Sequence, residues 1–161
     1  MNELPVKKRN PSSRDPYLGF DTSSYPGDAA MQGWWIYSPL WYVGFYLAPA
    51  PDHSDTSWMT KRSHLAGLGW GFLTVYVGRQ VGWSDLTYAQ GQSDAKNAAS
   101  LAGQAGFPAG ATIFLDVETG GTLPDNMVSY IQGWVSEIDS VNTAYWAGVY
   151  CSYYQTAAQI K

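Results

Sequence analysis

The stretch GFLTVYVGRQVGWSDLTYAQGQSDAKNAASLAGQAGFPAGATIFLDVE, residues 71–118, contains two apolar runs separated by a helical segment. The runs at 71–80 and 111–118 are almost continuously apolar, which is typical of strands covered on both faces of a sheet. Between them, residues 93–108 begin with the helix-capping type Ser93, carry alanines on one face, and end at glycine and proline. This order of strand, helix and strand predicts a right-handed crossover between two parallel strands.

The same alternation continues on both sides of that unit. Further strand-like runs occupy residues 17–24, 41–48 and 144–152, and further helical segments occupy residues 28–37, 54–69 and 122–140. The sequence therefore predicts an α/β fold with a parallel sheet, either an open sheet or part of a (β/α)8 barrel. A complete barrel takes about 250 residues, and only about five βα units are visible here.

Length and charge limit the organisation and the partners of this chain. We expect residues 1–16, rich in Pro, Ser, Lys and Arg, to form a flexible leader, and residues 17–161 to form one domain. The net charge of −4 makes nucleic acid an unlikely class of partner. No apolar run is long enough to span a membrane, and no secretion signal is visible. We therefore expect a soluble chain of unknown location, for which action outside the cytoplasm would require separate delivery.

Two carboxylates end the fourth apolar run. Asp116 and Glu118 are two positions apart in a predicted strand, so both side chains project to the same side. Asp21 also follows an apolar run, the first one, and precedes small polar residues. Because ligands bind at the carboxyl ends of parallel strands, we expect these three carboxylates to converge on one opening.

Such a set supports more than one chemistry. Paired carboxylates whose pKa values differ can cleave a glycosidic bond, and oxygen ligands can also hold Mg²⁺ or Ca²⁺. An Asp at a strand end can equally serve only to cap a helix or to bond a loop. No spacing of His53, His64 and the single Cys151 supports zinc, and we predict no metal and no cofactor.

Five motifs in chain order resemble those of a known family. They are GFDTS on the first run, VGFYLAP on the second, VYVGRQ on the third, IFLDVE on the fourth and AGVYCS on the fifth. In this order, over residues 17 to 153, the chain resembles the bacterial glycoside-hydrolase-like TIM-barrel domains, which are related to the glycoside hydrolase family 25 lysozymes. The resemblance implies a barrel that continues for three further strands. We favour a fragment of a longer barrel over completion by a partner chain or a reorganised fold.

The resemblance also implies an activity and a site. Glu118 would donate a proton to the β-1,4 glycosidic bond of peptidoglycan, with Asp116 and Asp21 stabilising or positioning the intermediate. Residues expected to contact the sugar are Tyr25, Tyr46, Gln80 and Tyr150. Two alternatives remain open: an inactive carbohydrate-binding domain with aromatic rings near the strand ends, and a protein-interaction domain on the same scaffold.

Overall fold

The computed structural model describes residues 16–140 and 143–161 of the chain. Residues 1–15 of the predicted leader lie outside the described residues. In the described part, five strands alternate with five helices: β1 Leu18–Phe20, α1 Asp28–Tyr37, β2 Leu40–Tyr46, α2 Arg62–Leu68, β3 Gly71–Tyr76, α3 Tyr88–Gln104, β4 Thr112–Val117, α4 Asp125–Ile138, β5 Trp146–Cys151 and α5 Tyr154–Gln159.

The five strands form one parallel sheet whose spatial order, β1-β2-β3-β4-β5, is the order along the chain. Because every crossover steps in one direction and crossovers are right-handed, the helices between the strands fall on one face of the sheet. A doubly wound sheet reverses its strand order at a switch point, and this one does not. The predicted α/β fold is confirmed, and it is consistent with part of a TIM-type barrel.

The two faces of the sheet differ in burial. Ile113, Leu115 and Val117 of β4 are fully buried on the helix-covered face. The opposite, inner face carries the alternate β4 side chains, and it is partly open to solvent: Tyr42 on β2 is 36% exposed and Trp146 on β5 is 61% exposed. Both rings lie near the amino ends of their strands, and at the carboxyl end the residue after β4, Glu118, is exposed.

Helices α3 and α4 cross with almost no space between their backbones. A Cβ atom on Gly91 of α3 would overlap the carbonyl oxygen of Tyr130 on α4, and one on Gly133 of α4 would overlap the carbonyl oxygen of Tyr88. Ala95, Ala98 and Ala102 on α3 are buried. The small-residue face of α3 thus packs mainly along α4.

Local side-chain bonds move the helix starts from where the sequence predicts them. Helix α3 begins at Tyr88, because the Thr87 side chain accepts a hydrogen bond of 3.1 Å from the backbone N–H of Gln90. The prediction that Ser93 caps this helix is wrong. Likewise, residues 54–61 form turns before α2, where Asp55 accepts a bond from the backbone N–H of Ser57.

Candidate active site

Strand β4 delivers two carboxylates to the carboxyl end of the inner face. Asp116 is the penultimate residue of β4 and is only 3% exposed, whereas Glu118 follows the strand and is exposed. Their spacing places both on the inner side, as the sequence predicts. The pair therefore consists of one buried carboxyl group and one that solvent or a ligand can reach.

Asp21 joins this pair from the neighbouring end of β1. Its side chain lies over Gly44 of β2, where a Cβ atom would overlap that of Asp21. The hydroxyl group of Tyr46 donates a hydrogen bond of 2.9 Å to Asp21 Oδ1. A glycine and a tyrosine two positions apart on β2 thus place the third carboxylate.

Asp116 is an acid with a strongly raised pKa. Burial and, after it, the negative charges of Glu118 and Asp21 raise its pKa from 3.8 to about 7. Its Oδ1 atom is buried and has no hydrogen-bond partner among the described residues. Near neutral pH the site therefore holds a proton on a carboxyl group that faces two other carboxylates.

Two tyrosines complete the group. Burial, the bond to Asp21 and the charges of all three carboxylates raise the pKa of Tyr46. The pKa of Tyr150 on β5 is raised first by the charge of Asp21, then by burial and by Asp116 and Glu118. Both hydroxyl groups are therefore neutral donors beside the three acids.

Gln80, from the loop after β3, reaches across to β4. Its Nε2 donates a hydrogen bond of 3.0 Å to the backbone oxygen of Asp116 and one of 3.2 Å to that of Gly78. With Glu118, it belongs to the wall of a cavity of about 300 Å³. The other residues that line this cavity are Asp52, Val77 and Thr119.

Comparison with known proteins agrees with the fold. A family model described as "Rv2525c-like, glycoside hydrolase-like domain" matches residues 32–161. The chain belongs to this family. No curated protein matched the chain.

One solved structure shares the fold of this glycoside hydrolase-like domain. It is the 1.07 Å crystal structure of an uncharacterized B. stearothermophilus protein, with a TM-score of 0.68 and 22% sequence identity. The match covers 88% of this chain and 63% of that protein. The glycoside hydrolase-like domain described here thus spans less than two thirds of the length of that structure.

Of the sugar-binding residues predicted from the sequence, Tyr25 is the one that the structure does not bring to the carboxylates of the glycoside hydrolase-like domain. Its hydroxyl group donates a 2.6 Å hydrogen bond to Asp28 at the start of α1, and its ring packs edge-on against Trp58. Lys61 binds the same Asp28 carboxylate at 3.0 Å. Tyr25 therefore has a structural set of partners of its own.

A buried polar network next to Gln80 was not predicted from the sequence. Arg79 Nε donates to Asp94 Oδ2 at 3.0 Å, and the Tyr130 hydroxyl donates to the same oxygen at 2.8 Å. Asp94 is 5% exposed although it lies in a helix. A charged residue within the apolar spacing of α3 was the available signal, since such residues are rarely buried without a partner.

The described residues also bear on metal binding and on membrane insertion. Among residues 16–140 and 143–161, no group of three or more His, Cys, Asp or Glu side chains is arranged to hold a metal ion. None of the helices in that part of the domain has the length and apolar content needed to cross a bilayer.

Proposed function

We propose that this domain is a glycosidase that hydrolyses the β-1,4 glycosidic bonds of bacterial peptidoglycan, with Glu118 as the proton donor. The observation that carries the proposal is the pairing of buried Asp116, whose pKa is raised to about 7, with exposed Glu118 at the wall of a cavity. Membership of a glycoside hydrolase-like family and the motif resemblance to family 25 lysozymes support the same chemistry.

The roles follow from where each group lies. Glu118 faces the cavity, so it can reach the oxygen that leaves the sugar, whereas Asp116 is buried behind it. The raised pKa of Asp116 keeps a proton at the site near neutral pH. The proposed role of Glu118 requires that this proton reach Glu118 when the sugar is bound.

Cleavage of the glycosidic bond creates positive charge on the sugar, which the site must stabilise. Glu118 gives its proton to the leaving oxygen as the glycosidic bond breaks, and positive charge develops at the sugar carbon. Asp21 and Asp116 stabilise that charge, and the hydroxyl group of Tyr46 keeps the Asp21 carboxylate in place. Water then adds to the sugar carbon and returns a proton to Glu118.

A glycan-binding domain without hydrolysis is the second candidate. It is favoured by Tyr150, which lies beside the three carboxylates and is only partly buried, since flat aromatic rings pack against sugars. Association with a partner chain that completes the barrel stays a prediction.

The deciding experiment compares wild type with Glu118→Gln on purified peptidoglycan. We expect wild type to clear the suspension and release new reducing ends, and Glu118→Gln to lose at least about a hundredfold in rate. Glu137→Gln, which makes the same change on α4, is the matched control and should retain activity. Equal rates for Glu118→Gln and wild type would refute the assignment, whereas binding without products in wild type would favour the glycan-binding candidate.

A further inference from the structure

The orientation of the Gln80 amide is determined by its neighbours. Its Nε2 lies 3.0 Å from the backbone oxygen of Asp116 and 3.2 Å from that of Gly78. Both are acceptors, so only the NH₂ end of the amide can face them. The carbonyl oxygen Oε1 must therefore point away from the two backbone oxygens.

That oxygen is an acceptor without a donor. Gln80 Oε1 is buried and has no hydrogen-bond partner within the described part of the chain. Leaving a buried acceptor unpaired lowers the stability of the folded chain, and most buried polar atoms in folded proteins have a partner. Gln80 also lines the cavity that Glu118 faces. A ligand in that cavity can supply the missing donor once the Gln80 side chain moves enough to uncover this oxygen, which is buried in the free domain.

The residue before Gln80 is held firmly. The Arg79 guanidinium binds Asp94 through Nε at 3.0 Å and also binds Asp85, and it lies over the ring of Trp83 at 5.4 Å. The backbone N–H of Arg79 donates a 3.2 Å bond to the Tyr130 hydroxyl.

These contacts tie the loop after β3 to both α3 and α4, because Asp94 and Tyr130 lie on those helices. A peptide unit anchored on two helices holds the backbone of the adjacent Gln80 beside β4. Arg79 itself makes no hydrogen bond to the three carboxylates, so its influence on the site must pass through the loop that it fixes.

We propose that Gln80 determines specificity by accepting, through Oε1, a hydrogen bond from an amide N–H or hydroxyl group of the bound sugar, and that Arg79 positions Gln80 for this contact. The sugar as ligand rests on the proposed function. Anionic groups are disfavoured at this position, since Oε1 and the neighbouring carboxylates are all acceptors or negative charges. An N-acetylated sugar offers the required neutral donors.

A double-mutant cycle tests both parts. Binding of a peptidoglycan tetrasaccharide, two repeats of N-acetylglucosamine and N-acetylmuramic acid, is measured by calorimetry in the Glu118→Gln background, where the ligand is not cleaved. We expect Gln80→Met to weaken binding about tenfold and Arg79→Lys to weaken it less. Because Arg79 acts through Gln80, the double variant should bind no more weakly than Gln80→Met alone.

Two further variants guard against a folding artefact. Gln80→Asn keeps the amide but shortens it, and Tyr130→Phe removes one anchor of Arg79; both should weaken binding in the same direction. Arg62→Lys is the matched control: this half-buried arginine stacks on Phe72 and Phe107 near the opposite end of the sheet, and its replacement should leave affinity unchanged. Melting temperatures report the folded state of each variant.

The outcomes separate this inference from the proposed function. Unchanged affinity in folded Gln80→Met, additive losses in the double variant, or no binding of the tetrasaccharide overturns the inference. Coupled losses of affinity support the inference. If the chain with Glu118 intact fails to hydrolyse peptidoglycan, that result refutes only the proposed hydrolysis.

Discussion

Replacing Asp116 by Asn should change how stability depends on pH. The pKa of Asp116 is raised by burial and by the charges of Glu118 and Asp21 to about 7 in the folded chain, against 3.8 as its ordinary value. Between these two pH values the folded state binds more protons than the unfolded state, so stability is highest at acidic pH and falls as pH rises towards the folded pKa. Above the folded pKa, ionised Asp116 lowers the free energy of unfolding by about 4 kcal/mol, because a difference of one in pKa corresponds to about 1.36 kcal/mol.

Urea unfolding at several pH values measures this cost. From about pH 5 to about pH 8, we expect Asp116 to lower the free energy of unfolding by about 2.5 kcal/mol in wild type. Asp116→Asn should lack that decline, because an amide does not ionise. Every other ionisable group is common to both proteins, so the difference between the two slopes isolates Asp116.

A second aspartate provides the control. The pKa of Asp28 is lowered by the hydrogen bond from Tyr25 and by Lys61, so its contribution is present above its ordinary pKa and is lost only as pH falls below it. Asp28→Asn should therefore leave the slope above about pH 5 as in wild type. If Asp116→Asn keeps the wild-type slope, the carboxyl group of Asp116 is solvated in the folded chain and the reasoning fails.

The remaining predictions concern the neighbours of Asp116 and the helix crossing. Glu118→Gln removes one of the charges that raise the pKa of Asp116, so the decline in stability with rising pH should become smaller. It should persist, because burial is the larger cause of the raised pKa. An unchanged decline in urea unfolding would show that the two groups do not interact. Gly91→Ala should destabilise by at least about 2 kcal/mol, because its Cβ would meet the α4 backbone. Gly33→Ala in α1, which meets nothing, should stabilise by up to about 1 kcal/mol, and similar melting temperatures for these two variants would contradict the packing described here.

The alternation of strands and helices could be predicted from the sequence, because buried parallel strands are continuous apolar runs. The carboxylates at the ends of β1 and β4 could be predicted for the same reason, since parallel strands end at one edge of a sheet. Asp116 and Asp21 do interact electrostatically in the structure. The periodicity of the sequence does not show how deeply a side chain is buried. Nothing in the spacing distinguishes buried Asp116 from exposed Glu118.

Helix starts and polar networks depend on other information. The start of α3 is set by one bond from Thr87, and the sequence offers Ser93 as an equally good capping residue. Tyr25 follows β1 closely, yet a single bond to Asp28 fixes its hydroxyl group elsewhere. The bonds of Asp94 with Arg79 and Tyr130 join three segments distant in the chain, and no local pattern encodes them.

Two buried oxygen atoms at the site have no hydrogen-bond donor among the described residues. Asp116 Oδ1 and Gln80 Oε1 each lower the stability of the free domain, and they belong to residues joined by a hydrogen bond at the carboxyl ends of β3 and β4. Gln80 lines the cavity that Glu118 faces, and its amide bonds the backbone oxygen of Asp116. A ligand that brings hydrogen-bond donors to this end of the sheet, as a neutral sugar does, would therefore pair with acceptors that the free domain leaves unpaired.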